Sequence, residues 1–235
     1  MIKNEDLDLL VFNALSFGTA VMLGAFVYFL TQISSVSKKY RSSIAASALV
    51  VGIAGYHYYR IWSDWKVGEV NEGYRYADWL ITVPLLIVEL LIVLGTSPER
   101  RRKLMTTLVP ATVLMVGLGY PGEVSTEDGT KWTFWILAMI PFIYILYTLV
   151  GELKEAKGRE SASISGLINS ATKILLVTWL VYPITYLFPV FFEYPHDGAE
   201  TARQLGYTIA DITAKAGYGL AVLAIAKARS ASEPS

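Results

Sequence analysis

The 235-residue sequence has no cysteine and only two histidines, His57 and His196. Without thiols there is no disulfide framework, no thiolate metal centre and no cysteine nucleophile. Two histidines so far apart make no recognisable metal-binding motif, so no metal is expected. Charge is sparse: Asp, Glu, Lys and Arg make up 17% of the chain, against about 25% in ordinary soluble proteins. The 20 basic and 20 acidic residues cancel, so no basic footprint points to nucleic acid. The opening Met1-Ile-Lys-Asn-Glu-Asp-Leu-Asp8 is acidic, with neither the basic region nor the cleavage site of a signal peptide.

What fills the chain is apolar surface, with 54% hydrophobic residues. Seven stretches, 8–33, 43–62, 74–95, 104–121, 131–151, 166–190 and 204–226, approach the roughly 20 apolar residues that cross a bilayer. They leave only short loops. The expectation is an all-α membrane protein, a bundle of seven transmembrane helices forming one domain over 1–235. The fourth stretch is the shortest, and Gly117, Gly119, Pro121 and Gly122 crowd its far end. Lys38, Lys39, Arg41, Arg100, Arg101, Arg102, Lys103, Lys154, Lys157, Arg159, Lys227 and Arg229 all fall in connections on one side. The other side is acidic, with Glu69, Glu72, Glu123, Glu127, Asp128, Glu193, Asp197 and Glu200 placed in its loops. The positive-inside rule puts the N-terminus outside and the C-terminus in the cytoplasm.

Against that background the ionisable residues inside the spans stand out. Asp211 and Lys215 interrupt the seventh span with i,i+4 spacing, on one helical face about 6 Å apart along the axis. A charged side chain at such depth costs roughly 3 kcal/mol, which makes function the first hypothesis and a helix-joining salt bridge the second. The third span carries Arg75, Asp78, Thr82 and Glu89. Asp78 and Glu89 share a face about 16 Å apart, with Asp78 towards the outside. Two acids and an arginine therefore converge outside the lysine, and one acid stands alone on the cytoplasmic side. A file of titratable groups along the membrane normal reads as a proton path. On the sixth span Trp179, Tyr182, Pro183 and Tyr186 form one aromatic face, and Trp79, Trp132, Trp135 and Phe142 add to it from other spans. Such residues also serve as core or interfacial belt.

Together these stretches resemble the microbial (type 1) rhodopsins, most closely the proteorhodopsin-like proton pumps, over essentially the whole chain. The resemblance rests on Arg75-Tyr-Ala-Asp-Trp-Leu-Ile-Thr-Val-Pro-Leu-Leu, Met115-Val-Gly-Leu-Gly119, Trp179-x-x-Tyr-Pro, and Asp211-x-x-x-Lys215 followed by Gly217-Tyr-Gly. It implies all-trans retinal bound to Lys215 as a protonated Schiff base. The implied pocket is Trp79, Leu86, Met115, Gly119, Trp135, Phe142, Trp179, Tyr182, Pro183 and Tyr186. Asp78 and Asp211 are then counterions, Asp78 the proton acceptor, Arg75 the offset to their repulsion, and Glu89 the cytoplasmic donor. Asp78, Thr82 and Glu89 match the pattern of outward proton pumps. His57 is implied to hydrogen-bond Asp78, although a lone histidine also serves as a packing residue. Leu86 implies green absorption, and Trp135, glycine in relatives with an antenna carotenoid, implies no second pigment. A pentameric or hexameric ring in the cell membrane is implied as well. The second reading is a retinal photosensor that signals through a membrane partner. Glu193 and Glu200 are read as solvated loop acids rather than as proton-release groups.

Overall fold

The computed structural model describes residues 4–65, 71–191 and 196–232, so Glu69 and Glu193 lie outside the described residues. Seven long helices account for nearly all of them: α1 (Asn4–Gln32), α2 (Arg41–Ser63), α3 (Glu72–Val93), α4 (Pro98–Glu123), α5 (Asp128–Gly158), α6 (Ala162–Tyr186) and α7. The last is assembled from His196–Asp211, a π-helical turn Ile212–Gly217 and Tyr218–Ala231. Consecutive helices pack side by side, and α7 closes the ring against α6 and α1 while also touching α2 and α3. This is the expected seven-helix bundle.

The starts follow ordinary end chemistry. Asn71 caps α3 by accepting from the Gly73 N–H at 3.0 Å. Ser97 caps α4 by accepting from Arg100 N–H at 3.2 Å, with Pro98 as the first helical residue; an amide lost there has no intrahelical partner to lose.

Several boundaries differ from the sequence expectation. α4 runs through its glycines to Glu123, because Gly119 and Gly122 serve close packing rather than a turn. A Cβ on Gly119 would stand 3.0 Å from the Tyr76 hydroxyl, and one on Gly122 would strike the Tyr186 hydroxyl. α6 stops at Tyr186, and a separate helical turn, Phe188–Phe191, follows. α5 has 31 residues, about 46 Å of helix against a hydrocarbon layer of about 30 Å. Lys154 and Lys157 therefore ride on its C-terminal extension, as Arg100–Lys103 ride on the first two turns of α4, rather than in loops. Glu72, Glu123 and Glu200 are helical too, not loop acids.

Six helices among the described residues are long and apolar enough to cross a membrane; α2 is not among them. It carries Ser42, Ser43, Ser47, His57 and Arg60 and packs between α1 and α3, with Ser43 and Ser47 buried, His57 and Arg60 partly so and Ser42 exposed. Large apolar side chains such as Phe17, Ile140, Ile143, Tyr147, Val177 and Ile209 are exposed, the outward surface expected where lipid replaces water. Burial is uneven. In the apolar windows of α3 and α7, 56% and 61% of residues are buried, against 22–33% for α1, α4, α5 and α6. The two helices that bear the intramembrane charges are thus the two at the centre.

Candidate functional site

Lys215 sits in the π-helical turn of α7 and is 2% exposed. Wide turns of this kind often mark functional positions in helices. Its Nζ donates to Asp78 Oδ2 across the bundle and to Asp211 Oδ1, one turn back, at 2.7 Å. The two carboxylates are not equivalent. Asp211 also accepts from Tyr182 Oη at 2.7 Å, Tyr58 Oη at 2.9 Å and Trp79 Nε1 at 3.1 Å, and Arg75 Nη1 lies 3.6 Å away. Its acceptor capacity is filled from four helices. Asp78 has only the lysine on Oδ2, and its buried Oδ1 has no hydrogen-bond partner.

Two side chains expected beside Asp78 are near it but turned elsewhere. Thr82 spends its hydroxyl on the Asp78 main-chain carbonyl, at 2.9 Å. His57 Nδ1 is 4.0 Å from Asp78 Oδ1 and 3.0 Å from the Ile53 carbonyl. The helix's own i−4 carbonyl is the closer partner for the ring, so no direct hydrogen bond joins His57 to Asp78.

From Lys215 a cavity runs between α3, α4, α5 and α6. All ten expected residues line it: Trp79, Leu86, Met115, Gly119, Trp135, Phe142, Trp179, Tyr182, Pro183 and Tyr186. Tyr76, Val83, Val116, Ala138, Met139 and Tyr207 complete the wall. Trp135 donates to the Pro183 carbonyl at 2.9 Å, satisfying an indole that has no water to turn to. The result is an apolar, aromatic slot with an amine at one end.

Further along α3, three turns from Asp78, Glu89 is fully buried. Ser47 of α2 donates to its Oε2 at 2.6 Å, Ser43 donates to its main-chain carbonyl at 2.8 Å, and Oε1 has no partner. Leu86, Ile87 and Leu90, its neighbours on α3, belong to the main apolar core.

The opposite end, around Arg75, is different in kind. Arg75, 1% exposed, reaches Glu72 Oε2 at 3.3 Å and Gln204 Oε1 at 2.6 Å. Gln204 in turn donates to Glu72 at 2.5 Å and Glu200 at 2.8 Å. Arg203 pairs with Glu123 at 2.6 Å, Glu200 at 2.6 Å and Glu72 at 3.4 Å. The reading of Glu200 as a free loop acid is therefore corrected: it is held by two side chains of its own helix.

Sequence reasoning missed Tyr58, Ser47, Tyr207, Gln204 and Glu123. For Tyr58 and Ser47 no local signal exists, since each meets its partner from a different helix. For Glu123 one did: Gly119, Gly122 and Glu123 keep helical spacing, which marks a helix continuing against a neighbour.

Comparisons with known proteins agree with this geometry. The family model for bacteriorhodopsin-like proteins matches residues 12–229. A green-light absorbing proteorhodopsin from gamma-proteobacterium EBAC31A08 is 31% identical over 225 residues, covering 94% of this chain and 89% of the relative. Archaerhodopsin-2 of Halobacterium sp. (strain aus-2) is 30% identical over 238 residues, covering 94% and 88%. Among solved structures, xanthorhodopsin, a light-driven ion pump with dual chromophore, superposes with a TM-score of 0.88 at 44% identity over 96% of this chain and 95% of that one. A thermophilic rhodopsin gives 0.88 at 42% identity, with the same coverage of both chains.

Proposed function

The chain belongs to the bacteriorhodopsin-like family, and on that premise we propose that it drives protons outward across the cell membrane in light, with all-trans retinal held covalently on Lys215. Microbial rhodopsins bind retinal through a lysine, and the residues present fit that group. Lys215 Nζ ends an apolar slot, and two carboxylates stand ready to balance a cation there. Bound through Nζ, retinal supplies the absorption of visible light and a change of shape that redirects the Nζ proton.

The chain's own residues do the rest. Asp78 is the acceptor: it is bonded to Nζ and has an oxygen with no other partner. Asp211 is the standing counterion, because protonating it would break hydrogen bonds from Tyr58, Trp79 or Tyr182. Arg75, 3.6 Å from Asp211, balances the second negative charge. Glu89 returns a proton to Nζ from the cytoplasmic side; Ser47 orients its carboxyl, and the apolar packing around it excludes other donors. His57 and Thr82 position the Asp78 segment from α2 and α3. The remaining wall, from Leu86 and Met115 to Trp179 and Pro183, excludes water and fixes the slot's shape. The Lys/Arg bias of the cytoplasmic ends supports an outward direction. Trp135, tied to Pro183 in the wall, supports one pigment per chain, with Leu86 favouring green absorption.

The observation that carries the reading is the inequality of the two carboxylates around Nζ, with a lone acid on the opposite side. Illuminated cells given retinal should acidify an unbuffered medium equally in sodium and potassium salts, and a protonophore should abolish the signal. Coloured protein that leaves the pH unchanged overturns it and favours the sensor.

A further inference from the structure

Glu123 ends α4, is 5% exposed, and is used by nothing in the mechanism above. Its Oε2 accepts from two hydroxyls, Tyr76 at 3.0 Å and Tyr207 at 2.9 Å. Its Oε1 pairs with Arg203 at 2.6 Å. That set suits a carboxylate, which lets both tyrosines donate. Two hydroxyl donors and a guanidinium fill both oxygens, whereas an amide would turn N–H groups towards either the tyrosines or the arginine.

Both tyrosines belong to the cavity wall as well. Their rings pack on Trp79, with centroids 5.0 Å away for Tyr76 and 5.1 Å for Tyr207. Trp79 donates to Asp211 at 3.1 Å, and the Arg75 guanidinium lies 5.3 Å from the Tyr207 ring. An unbroken series of contacts thus runs from Glu123 through the two tyrosines and Trp79 to the counterion of Lys215.

We propose that Glu123 is a positioning residue of the retinal site, a fixed anion that clamps Tyr76 and Tyr207 and thereby tunes the colour of the bound pigment. This rests on the retinal reading given above. A cationic polyene moves positive charge away from its nitrogen when it absorbs light. A carboxylate tied to the wall of the slot bears on that redistribution, so removing its charge while Arg203 stays changes the gap.

The test is the visible spectrum of the retinal-loaded protein in lipid. Glu123→Gln should displace the band, and Glu123→Asp, which keeps the charge, should return most of that displacement. Tyr76→Phe with Tyr207→Phe should also displace the band, although no charge changes. A Glu123→Gln band that coincides with that of the unmodified protein overturns the inference. If Glu123→Gln yields no coloured protein, the tyrosine pair decides, and an unmoved band there overturns it equally. Failure of the unmodified protein to take up retinal, or colour that survives Lys215→Ala, defeats the retinal reading instead.

Discussion

The two halves of the bundle on either side of Lys215 are built from opposite materials. Outside it, Asp78, Asp211, Glu72, Glu123, Arg75, Arg203, Gln204 and four tyrosines form one connected polar body. Towards the basic end, Glu89 is held by one serine hydroxyl, and the nearest ion pairs there, Arg100 with Glu152 and Arg229 with Glu160, form no hydrogen bond to it. On the proposed path a proton leaving Nζ towards the Arg75 end meets acceptors at hydrogen-bond distance, whereas one arriving from the other end comes by way of Glu89. Asymmetry of surroundings, rather than any single group, gives the path its sense.

The largest test removes the divide itself. Lys215→Ala should abolish both colour and light-driven pH change, since no other amine reaches the slot; absorbance of the retinal-treated membrane checks it. Next, Asp78→Asn should keep a coloured protein but reduce light-induced acidification to baseline, because of the two carboxylates on Nζ it removes the one with an uncommitted oxygen. Persisting transport would mean that the outer half has a second acceptor. Glu89→Gln tests the inner half: return of the flash-induced absorbance change should slow by roughly 100-fold, the scale of a lost proton donor, with colour retained. An unchanged recovery, joined to slow signalling kinetics, would favour the sensor. The smallest effect belongs to Ser47→Ala. Deleting one hydrogen bond to Glu89 is worth about 1 kcal/mol, so recovery should change by about fivefold, well short of the glutamine variant.

What could be read beforehand follows the range of each interaction. Asp211 and Lys215 are legible because they lie one turn apart, and the face shared by Asp78 and Glu89 follows from helical phase alone. The ten cavity residues come from the resemblance, and the cavity holds all of them. Partners fixed by how one helix is rotated against another are a different matter. Tyr58 meets Asp211 from 153 positions away and Ser47 meets Glu89 from 42, and no spacing within either segment encodes this. The acids at the outer ends were misread for a physical reason. Hydropathy places Glu72, Glu123 and Glu200 at the water boundary, but the arginines and tyrosines of neighbouring helices supply what water would have given. His57 shows the reverse limit: proximity to Asp78 could be inferred, yet the choice between a carboxylate and a main-chain carbonyl depends on a ring rotation.

The π-helical turn at Ile212–Gly217 has a mechanical meaning. It is a slack link in an otherwise stiff rod. Tightening it to ordinary helix pitch displaces the chain by about one residue's rise, about 1.5 Å. The segments His196–Asp211 and Tyr218–Ala231 can stay docked on α6 and α1 while the link takes up the travel. Motion begun at Lys215 can therefore be absorbed within a few residues, so that a stroke strong enough to part the lysine from Asp78 need not pull the bundle apart.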